Sequence, residues 1–168
     1  MNVSLENTAI IVLIVLTGLS AGLCFTWSNA VTTGLGRLDN IGYLSAFQQM
    51  NRTIINPTFF IVFFGPFFLS IINIYVFRNA PSNIKGLLIA AAIVYTVGVL
   101  LVTIFGNVPL NELLDKTNIA TASTEDLQNL RATFETKWNQ FHAIRAVTAI
   151  IAFVLLVISA MQIAKNNL

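Results

Sequence analysis

Trp138, His142 and Arg145 are spaced at i, i+4 and i+7, so an α-helix through them sets all three on one face. That face joins an aromatic plane, the only histidine of the chain and a permanent cation. An imidazole titrates near neutrality and serves as a general base, and a guanidinium holds an anionic oxygen. The spacing therefore converges these polar groups at one end of the bundle, at the membrane mouth of the fourth helix. Asn107 and Asn111 stand four residues apart with Pro109 between them, which converges two amides at the exit of the third helix. Gln49, Asn51 and Asn56 form a further polar group ahead of Pro57.

Each of these residues also has a structural use. Trp138 fits an aromatic belt at a membrane surface, and Arg145 fits a side chain that snorkels to the headgroups. His142 fits a hydrogen-bond network if it has a buried partner, Asn107 and Asn111 fit helix caps or bridges, and Gln49 fits a solvated loop.

The elements that must position these residues follow from composition. Of 168 residues 56% are hydrophobic and only 10% charged, with 9 Lys plus Arg against 7 Asp plus Glu. A soluble domain carries about 25% charged residues, so this chain belongs in a membrane. Four uncharged apolar runs, about 8–27, 59–77, 86–105 and 146–163, are long enough to cross about 30 Å of hydrocarbon as helices. The expected fold is all-α: one integral-membrane four-helix bundle spanning residues 1–168. The first run has a signal-like small-residue stretch, Leu19-Ser20-Ala21-Gly22, but its n-region Met1 to Asn7 carries Glu6 and no Lys or Arg, so we read it as a retained helix.

Asn56-Pro57 reads as N-cap and first helical residue of the second helix, and Pro66 predicts a kink or local widening within it. Asn79, Ala80, Pro81 and Ser82 make a short turn between the second and third helices. The other two connections are long. In the second of them, Ser123 with Asp126 resembles a capping box, and Leu127, Leu130, Phe134, Trp138 and Phe141 follow at helical spacing. The fourth helix should therefore run from about 124 to 163, its membrane part beginning near 146. Its early apolar stripe needs a cover, which Leu44, Phe47 and Met50 of the first long connection can supply. A small helical cap on the side of the two long connections is the expectation. Arg78, Lys85 and Lys165 gather on the side of the termini, which favours a cytoplasmic location for both ends.

Several chemistries lack their residues. A net charge of +2 with scattered cations offers no stripe for nucleic acid. One cysteine, Cys24, and one histidine supply no Cys-based zinc set, no paired-histidine haem site and no carboxylate-rich iron site, so neither metal nor cofactor is expected. Gly34-Leu35-Gly36 lacks the strand that precedes a phosphate loop, and no acid is spaced to complete a triad with His142. Asn2-Val3-Ser4 and Asn51-Arg52-Thr53 match the glycosylation pattern, which is short enough to arise by chance.

Phe47-Gln48-Gln49-Met50-Asn51 ahead of Asn56-Pro57, then Asn107-Val108-Pro109-Leu110-Asn111-Glu112-Leu113-Leu114, then Trp138, His142 and Arg145, together resemble the anthrone oxygenase-like membrane proteins. The resemblance covers nearly the whole chain. It implies a small four-helix membrane protein whose polar motif positions correspond to Gln49, Asn51, Asn56, Asn107, Asn111, Trp138, His142 and Arg145. The function it implies is a membrane oxidoreductase, a cofactor-independent oxygenase acting on a lipophilic anthrone- or quinol-like substrate drawn from the bilayer. His142 and Arg145 would be catalytic and the other six would bind substrate. The competing expectation is a non-catalytic scaffold or accessory subunit that binds a lipid or hydrophobic ligand, the same polar residues tying cap to bundle.

Overall fold

A computed structural model describes residues 5–166. The sequon at Asn2 and part of the n-region lie outside them. Helix α1 spans Leu5–Gly36, α2 Asn40–Ile54, α3 Pro57–Val76, α4 Ser82–Lys116 and α5 Thr124–Asn166. All but α2 are long and apolar enough to cross a membrane. Large apolar side chains such as Ile11, Phe68, Ile93, Phe105 and Met161 are exposed on their outer faces, which hydrocarbon and not water would favour. The molecule is a membrane helical bundle.

The helices pack as a ring in which α1 touches α3 and α5, and α4 touches α3 and α5. Neighbours are antiparallel, the up-down-up-down arrangement that short turns permit. Two apolar layers fill the ring. One, toward the short turn, contains Leu13, Phe77, Ile84, Leu88 and Leu156. The other, at mid-depth, contains Phe63, Tyr95, Val99, Ala149 and Ala152. Tyr95 joins three helices there, its hydroxyl bonded to Ser20 on α1 and donating to the Phe63 carbonyl on α3, each at 2.9 Å.

The local start signals behave as their chemistry dictates. Asn56 Oδ1 accepts the Phe59 amide at 2.9 Å, and Ser123 Oγ accepts the Asp126 amide at 3.1 Å while donating to the Asp126 carboxylate at 2.7 Å. The expected cap is present. Tyr43, Leu44 and Phe47 of α2 cover Leu127, Phe134 and Trp138 of α5, with Leu114 closing the cluster. Gln48 Nε2 donates to the carbonyls of Leu114 and Thr117 at 2.9 and 3.2 Å, satisfying the C-terminal end of α4.

Two features differ from expectation. Helix α1 continues past Trp27 to Gly36, and α4 continues through Asn107 and Pro109 to Lys116, so both project from the membrane part into the cap. Each contains wider π-helical turns, at Trp27–Val31 in α1 and at Thr96–Leu101 and Thr103–Asn107 in α4. Pro109 has no N–H to give, and it is tolerated in the first turn after the last of these segments. Helix α3, by contrast, is α-helical through Pro66, so the widening expected there occurs in α1 and α4.

Candidate functional site

Helix α5 is the frame of the site. It presents Trp138, His142 and Arg145 inward where the cap meets the bundle, with Trp138 and His142 each only 4% exposed. The indole and imidazole rings are stacked, centroids 5.0 Å apart and planes 13° apart. Arg145 lies over the Trp138 ring at 5.3 Å, a cation–π arrangement.

The hydrogen bonds fix the histidine tautomer. Arg145 Nη2 lies 2.8 Å from His142 Nδ1, and a guanidinium only donates, so Nδ1 carries the lone pair. Nε2 lies 3.1 Å from the Cys24 carbonyl, which only accepts, so Nε2 carries the hydrogen. His142 is thus a neutral imidazole held from both sides. Arg145 Nη1 donates to Thr103 Oγ1 at 3.2 Å, and Thr103 in turn donates to the Val99 carbonyl. Among the described residues no carboxylate pairs with Arg145.

Helix α4 supplies the opposite wall. Asn107 Nδ2 donates to the Trp138 carbonyl at 3.2 Å, and Asn111 Oδ1 accepts from Trp138 Nε1 at 2.8 Å. Glycine is required where α4 meets α5: a Cβ at Gly106 would lie 2.7 Å from the Phe141 ring, and one at Gly98 2.5 Å from Thr148. The third wall is Trp27 of α1, its ring 5.3 Å from Trp138, 6.3 Å from His142 and 5.4 Å from Phe47.

Five of the residues expected at the site, Trp138, His142, Arg145, Asn107 and Asn111, therefore meet. The other three sit apart from the hydrogen-bonded cluster. Asn56 is committed as the N-cap of α3, its Nδ2 also donating to the Thr53 carbonyl. Gln49 is exposed and lines a cavity of about 580 Å³ on the outside of the cap, between α2 and residues 117–127. Asn51 is half-buried, one turn beyond Phe47 on the same face of α2. Sequence reasoning missed Trp27, Thr103 and the Cys24 carbonyl. Thr103 was findable, since Thr103, Asn107 and Asn111 repeat at i, i+4 and i+8. Trp27 and Cys24 come from a different helix and carry no spacing signal.

Most of the enclosed polar atoms without partners lie toward this end of the molecule, Asn73 Oδ1 near the short turn being another. Trp27 Nε1, Asn51 Nδ2, Asn107 Oδ1 and Arg145 Nε are enclosed and unbonded, with Thr32 Oγ1 nearby in sequence to Trp27. Buried polar atoms are ordinarily bonded, so Trp27 Nε1, Asn107 Oδ1 and Arg145 Nε beside the stacked rings leave room for partners from a water or a polar ligand. Two of those three are N–H donors, which suits an oxygen-bearing guest. Residues 59–155, from the second crossing to the middle of the fourth, match the anthrone oxygenase family. The chain belongs to the anthrone oxygenase family. No curated protein and no solved structure matches it. The family segment contains Asn107, Asn111, Trp138, His142 and Arg145 and stops before α5 ends.

Proposed function

We propose that this protein is a membrane-embedded oxygenase that oxidises a lipophilic anthrone- or quinol-like substrate entering from the bilayer, with the reaction centred on His142 and Arg145. The observation that carries this reading is a guanidinium with no carboxylate partner and an unbonded Nε, held against the lone pair of a neutral imidazole inside a member of this family. An anthrone becomes an electron-rich carbanion on loss of one proton from the carbon between its aryl rings. His142 Nδ1 takes that proton once Arg145 moves from Nδ1 to the substrate oxygen, where the negative charge collects. The Nε2–H bond to the Cys24 carbonyl then holds the imidazolium in place. The carbanion passes its electrons to dioxygen, the second hydrogen of that carbon leaves with the O–O cleavage, and the sum is anthrone plus O₂ giving anthraquinone plus water. Asn107 and Asn111 orient the substrate, and Trp27, Trp138 and Phe141 form apolar walls. Gln49, Asn51 and Asn56 act at the cap side of entry. The termini face the cytoplasm, on the strength of Arg78, Lys85 and Lys165; reporter fusions to the C-terminus test that orientation.

One observation favours a second reading, a structural cluster that ties cap to bundle. His142 and Trp138 are closely packed, and neither of the cavities of about 130 and 580 Å³ is lined by them. The test is aerobic incubation of the protein in mild detergent with an anthrone. The oxygenase reading expects one O₂ consumed per quinone formed and none made under argon; a rate equal to spontaneous oxidation would sink it and leave the structural reading.

A further inference from the structure

At the end of the bundle opposite His142, α3 and α4 form an open cleft of about 130 Å³ lined by Ile74, Arg78, Lys85, Leu88 and Ile89. Its rim is cationic and its wall apolar. Arg78 is exposed, lies 4.3 Å over the Tyr75 ring and donates from Nη1 to the Tyr75 carbonyl at 3.0 Å, which leaves Nε and Nη2 uncommitted. Lys85 is half-buried across the seam. Among the described residues neither cation has a carboxylate partner, and Glu6 at this end pairs with neither. At the cap end Arg52, Lys116 and Arg131 are matched by Asp115, Glu112 and Glu135, while Arg37 and Lys137 form no ion pair among the described residues.

We propose that this cleft binds the phosphodiester headgroup of an anionic phospholipid, Arg78 and Lys85 holding the phosphate while the acyl chains follow the α3–α4 seam. Two cations left unneutralised over one small cavity call for a guest of negative charge, and a guanidinium edge with a facing ammonium suits phosphate oxygens. The apolar wall decides between a lipid and free phosphate. Ile74, Leu88 and Ile89 line the cavity, and Ile71 and Ile93, both exposed, continue the seam about one turn deeper. Inorganic phosphate would leave that wall bare, whereas an acyl chain covers it. The assignment is independent of the reaction proposed for His142.

Native mass spectrometry of the full chain in mild detergent, titrated with phosphatidylglycerol, phosphatidylcholine or inorganic phosphate, tests it. Phosphatidylglycerol should be retained about tenfold over phosphatidylcholine, and phosphate should not displace it. The double variant Arg78→Gln with Lys85→Gln should lower phosphatidylglycerol retention to the phosphatidylcholine level. Arg52→Gln, which removes a cation at the other end, and the charge-keeping Lys85→Arg should both preserve the preference, guarding against a loss caused by misfolding. Equal retention of the two lipids by the natural chain, a preference that survives in the double variant, or displacement of the lipid by phosphate would each overturn the assignment.

Discussion

Arg131 and Arg145 stand about four turns apart on one helix, and the molecule treats them in opposite ways. Arg131 is matched at every edge. It pairs with Glu135 at 2.9 Å, donates to the carbonyls of Leu38 and Gly36 at 2.7 and 3.0 Å, reaches Asn40 and lies 4.5 Å over the Tyr43 ring. It thereby ties the end of α1 and the start of α2 to α5, and it closes the cap. Arg145 has two hydrogen bonds, no acid and an enclosed Nε without a partner. A fully satisfied cation stabilises a fold, whereas one left short of acceptors is poised for an oxygen that arrives with a guest. The cap is thus closed by matched contacts, and under the proposed function the mouth beneath it is the place that receives a guest.

Substitutions separate the two regions, and the largest effect should fall at the mouth. His142→Ala should lower anthrone oxidation by about 100-fold or more while helicity is kept, as expected when a general base is removed; an unchanged rate in the oxygen electrode would end the base assignment. Next comes the cap. Arg131→Met leaves Glu135 and the carbonyls of Gly36 and Leu38 without this donor and should cost about 1 to 2 kcal/mol of stability, read as a lower thermal midpoint, with the rate per folded molecule unchanged. Loss of rate without loss of stability there would erase the contrast.

The sequence made these regions legible to different degrees, for physical reasons. The crossings were readable because a membrane demands long uncharged runs, and the cap because α5 begins with an apolar stripe that needs a cover. Within the cap, Gln48 and Gln49 look alike in composition. The phase of α2, set by Leu44 and Phe47, turns Gln48 inward to the α4 terminus and Gln49 outward to the surface. At the mouth, the α5 and α4 residues share helical spacing and so could be grouped from the sequence. Trp27 and the Cys24 carbonyl could not, because only the packing of α1 beside α5 brings them to His142. The π-helical turns left no readable signal either.

Two smaller effects refine the comparison. Gly106→Ala should destabilise by about 1 to 3 kcal/mol, because its Cβ would press on the Phe141 ring of α5; denaturant midpoints against the natural chain measure it, and a neutral result would mean that Phe141 moves freely. In the cap, burial pushes the Tyr43 phenol up, the Glu135 carboxylate adds to the rise, and Arg131 offsets part of it. A folded pKa above the unfolded one contributes stability that is complete below about pH 10 and lost as pH rises beyond it. Tyr43→Phe should therefore flatten the alkaline decline of the thermal midpoint slightly; an unchanged slope would place that decline on other groups.

The most direct test of the division is oxygen uptake with an anthrone by the Arg145→Met variant in mild detergent, measured beside Arg131→Met. If Arg145 receives the substrate oxygen, its variant should fall by about 100-fold or more, the loss expected on removing an oxyanion donor, while Arg131→Met keeps its rate. Full turnover by Arg145→Met would contradict the account and return the mouth to a purely structural role.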